Sequence, residues 1–256
     1  MATELVEAPK ATPHEKLDAA VIAPKPTRKR RAAAFHVYVL VTAAAFVALA
    51  VAAHFVPYFR IDVTVAHALQ GYRGGFFAWL MVAVSWIGFV PQVYIFGAAA
   101  VLALLLAGLW WEAVAAIFAS CGVGIATLIK LLVVRPRPSA DLVEVFANLS
   151  SKSFPSGHVV MITTVCGFLA FLVYTLLKPS WERTSLLVAA AIPVVLMGPS
   201  RIYLGQHWFS DVMGAYLLGS LWLSLTIMFY RWGKLRFFSH QPVAPEAPPL
   251  AAKRSA

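Results

Sequence analysis

Apolar residues in this chain come in long unbroken stretches, and polar residues gather in the short segments between them. A continuous apolar run of about 20 residues is the length an α-helix needs to cross the hydrocarbon of a bilayer. Such runs fall at residues 35–56, 90–109, 113–134, 159–177, 185–199 and about 211–230. The stretch 76–109 is apolar almost throughout, divided by Gly88 and Pro91. A helix over 76–87 is therefore expected at the interface or partly inserted, ahead of the second crossing. Pro193 should kink the fifth crossing. Between crossings, 58–75 reads as a polar connector and Trp110-Trp111-Glu112 as a tight aromatic turn at a membrane surface. Residues 135–154, 178–183 and 200–210 read as loops. The runs are continuous rather than alternating, which argues against a transmembrane β-barrel. The pattern predicts an all-α integral membrane protein, a six-transmembrane-helix bundle over 32–236. The flanks, 1–31 and 237–256, are rich in Ala, Pro and charge and are expected to be disordered, the first ending in the basic anchor Lys25–Arg31.

Composition agrees with a membrane domain: 61% of the 256 residues are hydrophobic and only 12% charged. In a soluble protein a net charge of +10 would suggest a nucleic-acid partner. Here the positive-inside rule accounts for most of it, and no nucleic acid is expected. With six crossings, both tails and the 178–183 turn share one side, which holds 14 of the 21 Lys and Arg residues. That side is expected to be cytoplasmic, with both termini inside. A seventh crossing over 76–87 would put the two basic tails on opposite faces, against the charge bias. Cys121 and Cys166 fall within apolar runs, read as small core residues, and give neither a disulfide framework nor a metal spacing.

The seven cations of the minority side are not orientation signals, and most of them fall near crossing ends. Lys130 lies near the end of the third crossing, and Pro136 and Pro138 stop that helix so that Arg137 can fold back toward it. Arg135 and Lys152 read as solvated loop cations, with contact to a second phosphate or an anionic headgroup as the alternative. Pro155-Ser156-Gly157-His158 precedes the fourth crossing. Taken alone, this is a capped helix start. It is also a helix N-terminus with small, open N–H groups, suited to an anion and flanked by a titratable imidazole. His158 and Ser200 are 42 positions apart, enough for two crossings, so Ser200-Arg201 return to the same face. His207 and Asp211 are four apart where the sixth crossing begins. On a helix they would share a face, letting the carboxylate take one imidazole N–H and expose the other ring nitrogen. A capping interaction is the alternative for that pair alone. His36 and His54 at the two ends of the first crossing read as interface residues, and Trp110, Trp111 and Trp232 as an aromatic belt.

Three cations and backbone amides around one point suit a phosphoryl group, and two histidines supply an attacking nitrogen and a proton donor. With Lys130 and Arg137-Pro138, then Pro155 to His158, then Ser200-Arg201 with His207 and Asp211, the chain resembles the type 2 phosphatidic acid phosphatase (PAP2) family, lipid phosphate phosphatase branch. This three-part signature also occurs in vanadium haloperoxidases. The resemblance implies a membrane phosphatase acting on a lipid phosphate or diphosphate, at an active site facing the outside of the cytoplasmic membrane. It implies His207 as a nucleophile forming a phosphohistidine, oriented by Asp211, and His158 as general acid. Lys130, Arg137, Arg201, Ser200, Ser156 and Gly157 would bind the phosphate, with no metal and no cofactor. A lipid-linked phosphotransferase using the same site, or a non-enzymatic lipid-phosphate binding or transport protein, are the alternatives.

Overall fold

The computed structural model describes residues 25–89, 92–147 and 149–238. The expected disorder of residues 1–24 and 239–256, and Pro91 as a divider, lie outside the described residues. Among the described residues the secondary structure is helical throughout: α1 Lys25–Phe55, α2 Arg60–Gln70, α3 Gly75–Ile87, α4 Gln92–Leu106, α5 Trp110–Ser120, α6 Gly122–Leu132, α7 Gly157–Leu176, α8 Trp181–Tyr203 and α9 Phe209–Phe237. Five stretches are long and apolar enough to cross a membrane: 29–55 of α1, α5 with α6, α7, α8 and α9. A sixth is formed if α3 and α4, which meet at 61°, count as one bent span. Alone, the 15 residues of α4 rise about 22 Å, short of a roughly 30 Å hydrocarbon core. The second crossing therefore needs α3, which the sequence pattern set apart as a separate interfacial piece. The chain is a multi-pass membrane protein.

Several boundaries differ from the pattern. Lys25–Arg31, expected in a disordered tail, begins α1, and the last helix runs past the apolar run at about 211–230 to take in Arg231, Lys234 and Arg236. The 58–75 connector contains α2, whose Asp62, Ala66 and Gln70 are buried. Trp110 to Glu112 form the first turn of α5 rather than a loop. Glu112 is buried there, accepting from the Tyr230 hydroxyl at 3.0 Å and pairing with Lys234 at 2.7 Å. A charge placed in an apolar interior is retained when it is paired, and the partners come from a helix more than a hundred residues away. Helix α8 passes through Pro193 and Pro199 and ends at Tyr203, so Ser200 and Arg201 sit in its last turns and not in a loop. Proline is tolerated inside a buried membrane helix when neighbours support the backbone around it, and the Tyr216 hydroxyl donates at 2.6 Å to the Val194 carbonyl, next to the Val195 carbonyl that Pro199 leaves without an N–H.

The core is built where α7 packs between α8 and α9, around Val159, Val160, Ile162, Met197, Val212, Ala215 and Leu218. Leu40, Val41, Val47 and Val51 of α1 and Leu128, Leu131 and Leu132 of α6 point outward and are exposed. That arrangement suits lipid rather than water. Packing also fixes the loop before α7. Phe154 sits where a Cβ on Gly214 would lie 2.4 Å from its ring, so only glycine at that point of α9 admits it.

Candidate active site

Four helix ends meet at one end of the bundle: Lys130 in the last turn of α6, Gly157 and His158 in the first of α7, Arg201 in the last of α8 and Asp211 in the first of α9. Between them lies a cleft of about 190 Å³. Lys130, Arg137, Ser151, Gly157, His158 and His207 form its polar side, and Val93, Tyr94, Val123 and Met161 its apolar side. Seventy-seven positions of sequence separate Lys130 from His207, yet both face the same small space.

Several of the side chains around the cleft are held by bonds that leave polar atoms unused. Lys130 Nζ donates to the Lys152 and Ser153 carbonyls at 2.7 and 3.2 Å, leaving one of its three N–H bonds unused. Arg137 donates to the Ser151 carbonyl and hydroxyl at 2.7 and 2.8 Å and to the Gln206 carbonyl. Its Nη1 lies 3.3 Å from His207 Nε2. Arg201 is fully buried and donates from Nη1 to Ser85 Oγ, and its Nε and Nη2 have no partner among the described residues. Phe89 lies under its guanidinium, 5.4 Å from ring centroid to Cζ. Ser156 is the N-cap of α7, and its buried hydroxyl is also unpartnered. Ser200 sits apart from the cleft lining, its hydroxyl donating to the Met81 carbonyl and so tying α8 to α3.

His158 is wedged beside Gly88, the C-cap of α3. A Cβ at Gly88 would lie 2.6 Å from His158 Cδ2, so the imidazole occupies space that any side chain would fill. Phe89 meets the same ring edge-on at 6.0 Å. Gly88 stood out in the sequence only as a break; here it is the floor under a histidine.

His207 and Asp211 come together differently from the shared helix face expected. Trp208 is the N-cap of α9, so His207 precedes the helix and Asp211 is its N3 residue. Asp211 Oδ2 turns back to accept the Trp208 N–H at 2.9 Å, and the Ser153 hydroxyl also donates to it. His207 Nδ1 lies 3.5 Å from that same oxygen, an approach rather than a formed hydrogen bond. The cap geometry, and not helical periodicity, brings imidazole and carboxylate together.

The other Asp211 oxygen belongs to a residue the sequence reading left in solvent. Arg135 is fully buried, donating from Nη1 to Asp211 Oδ1 at 2.6 Å and to Ser210 Oγ at 2.7 Å, and from Nη2 to Asp62 Oδ2 at 2.9 Å. Its Nε donates to the Pro57 carbonyl at 3.0 Å. Asp62, missed altogether, enters from α2. Lys152, by contrast, is exposed as expected and contributes only its carbonyl.

The electrostatics oppose protonation of His207. Burial pushes its imidazole well below the usual histidine range, and Lys130, Arg137, Arg201 and His158 push the same way. The ring is therefore neutral at neutral pH. A guanidinium only donates, so its contact with Nε2 has a favourable sign when Nε2 carries the lone pair and Nδ1 the proton. That tautomer turns its N–H toward Asp211 and its lone-pair nitrogen toward the cleft.

Comparison with known proteins gives these residues a context. The PAP2 superfamily model matches residues 108–234. Phosphatidylglycerophosphatase B of Bacillus subtilis is 42% identical over 73 residues, covering 28% of this chain and 36% of that protein. An undecaprenyl-diphosphatase of Sulfolobus acidocaldarius is 39% identical over 72 residues, covering 28% of this chain and 30% of that protein. The chain thus spans about a third of the length of these curated relatives. Among solved structures, a transmembrane PAP2-type phosphatidylglycerolphosphate phosphatase from Bacillus subtilis superposes with a TM-score of 0.64 at 24% identity, covering 76% of this chain and 96% of that one. Aquifex aeolicus LpxE superposes with a TM-score of 0.54 at 18% identity, covering 66% and 96%. At those identities the likeness is one of fold. The matched segment 108–234 runs from the start of α5 nearly to the end of α9, and this chain belongs to the PAP2 superfamily.

Proposed function

We propose that this protein is a membrane phosphatase that hydrolyses a lipid phosphate or diphosphate through a phosphohistidine on His207. The substrate class follows the names of the relatives, a phosphatidylglycerophosphatase and an undecaprenyl-diphosphatase. In this reading the phosphoryl oxygens bind Lys130, Arg137 and Arg201, with the Gly157 N–H and the Ser156 hydroxyl at the positive end of α7. His207 Nε2 attacks phosphorus as the bond to the lipid oxygen breaks. His158 protonates that oxygen, then removes a proton from water as the water displaces His207 and inorganic phosphate leaves. Ser200 acts by holding α8 against α3 rather than by touching phosphate.

One observation carries the reading. Arg201 and Ser156 stand behind the cleft lining rather than in it and hold buried, unpartnered polar groups, while the lining itself holds two histidines, Lys130 and Arg137. Buried polar groups without partners are costly, and a tetrahedral oxyanion supplies acceptors for all of them at once. The side of the membrane follows from charge. With α3 and α4 as one bent span, both tails share a side with Lys178 and Arg183, and that concentration of cations supports cytoplasmic termini and a cleft facing outside.

The test is phosphate release from a lipid phosphate by detergent-purified protein, with His207→Ala beside it and no divalent metal added. A loss of about a thousandfold or more is expected for a nucleophile. Turnover near that of the unaltered protein would overturn the proposal.

A further inference from the structure

Asp62 lies outside all three signature segments and Arg135 is an intervening position within the first, yet they form the buried network nearest the His207–Asp211 pair. We propose that they are positioning residues for that pair, the guanidinium being divided between two carboxylates so that Asp211 keeps the negative charge that holds His207. The proposal rests on the phosphatase reading and concerns how its nucleophile is prepared.

The division is visible atom by atom. Only Nη1 reaches Asp211, at Oδ1, while Nη2 goes to Asp62 and Nε to the Pro57 carbonyl. Asp211 therefore receives a single contact rather than the two-pronged pairing that would neutralise it fully. Its Oδ2 stays available for the Trp208 N–H, the Ser153 hydroxyl and the His207 side. Asp62 is fixed in turn by the Ser210 N–H at 2.8 Å, the Ser210 hydroxyl at 2.7 Å and the Phe59 N–H at 2.9 Å. Arg135, Asp62 and Asp211 have no exposed side-chain surface. Their attraction is thus weakly screened and the arrangement rigid.

Charge gives the division a second consequence. Lys130, Arg137, Arg201 and Arg135 against Asp62 and Asp211 leave two positive charges at this end of the bundle. That matches a phosphomonoester dianion. Without the Asp62 charge, Arg135 turns wholly to Asp211 and the cleft gains one positive charge. An anion then binds more tightly while His207 becomes a poorer nucleophile. Affinity and turnover should move in opposite directions, which a loosened structure would not produce.

The experiment compares Asp62→Asn and Arg135→Lys with the unaltered protein in detergent. It reads kcat on a lipid phosphate and, by calorimetry, equilibrium binding of inorganic phosphate. Asp62→Asn should bind phosphate roughly tenfold more tightly while kcat falls roughly tenfold. Arg135→Lys keeps the charge and loses the fork, so kcat falls while phosphate affinity holds. Phosphate binding that weakens or stays unchanged in Asp62→Asn, or unaltered kcat in either variant, overturns the proposal. If Asp62→Asn does not accumulate folded, kcat and phosphate affinity of Arg135→Lys decide alone. His207→Ala separates the two levels. An active unaltered protein with inactive His207→Ala and normal Asp62 and Arg135 variants rejects this inference only, whereas active His207→Ala rejects the phosphatase mechanism itself.

Discussion

Replacing Gly88 with alanine adds one methyl group and tests whether His158 acts from the position it occupies. The backbone at Gly88 has φ −85° and ψ −7°, a conformation alanine adopts without strain. Any effect is therefore steric. The new Cβ would lie 2.6 Å from His158 Cδ2 and 3.2 Å from Met197 Cε, where ordinary contact begins at 3.4 Å. The Met197 methyl is the end of a flexible chain and can yield. The imidazole is backed by Phe89 and has to move by about 0.8 Å. Misplacing a reacting group by about 1 Å can cost on the order of a hundredfold in rate. We expect kcat for phosphate release to fall about ten- to a hundredfold, with thermal stability nearly unchanged. The reason is that the roughly 0.4–1 kcal/mol gained by removing glycine from the unfolded chain offsets part of the clash. In a His158→Ala background the same change should cost nothing further, since the group it displaces is gone. Full activity of Gly88→Ala, or additive losses in the double variant, would refute the reasoning.

The remaining expectations follow from the same site and from the far end of the bundle. His207 is neutral in the fold and well below its ordinary histidine range, so the acid limb of kcat/KM should lie below the roughly pH 6.5 of a free imidazole. The same depression makes stability full above about pH 6.5 and falling as pH drops toward the folded value, by about 1.4 kcal/mol per pH unit for one proton. His207→Gln should flatten that part of a melting-temperature profile, and an unchanged slope would contradict it. Lys234→Met leaves Glu112 buried with Tyr230 as its remaining side-chain partner. A loss of about 1–3 kcal/mol is expected from denaturation, and Glu112→Gln with Lys234→Met should recover part of it. A single cysteine placed at Asp141, in an otherwise cysteine-free chain, should react with an impermeant reagent added from outside the cell. Labelling only from the cytoplasm would reverse the proposed topology.

Much of the fold is legible in the sequence, and the misplaced charges share one cause. Lys130, Arg137, His158 and His207 line one cleft, and their convergence is legible because short spacings tie each to a helix end and the apolar runs bring those ends together. Arg135 was misread because its burial depends on Asp62 and Asp211, which lie 73 and 76 positions away. No local pattern marks a charge that is to be paired across a bundle. Asp62 and Glu112 were hidden the same way, one in an apparent connector and the other in an apparent turn. The end of α8 was set too early because Pro193 and Pro199 break helices in water, while here Tyr216 of α9 supports one of the carbonyls near the second proline. Periodicity likewise sets Asp211 beside His207 through the wrong geometry, since a cap and a helix face both bring residues four apart into reach.

The central claim is that His207 takes the phosphoryl group before water does, and the stereochemistry at phosphorus reads this most directly. A lipid phosphate made chiral with oxygen isotopes and sulfur should yield inorganic thiophosphate with retained configuration, because two in-line displacements each invert the centre. Inverted product would mean that water attacks the lipid phosphate directly, and the account of His207 as nucleophile would be wrong.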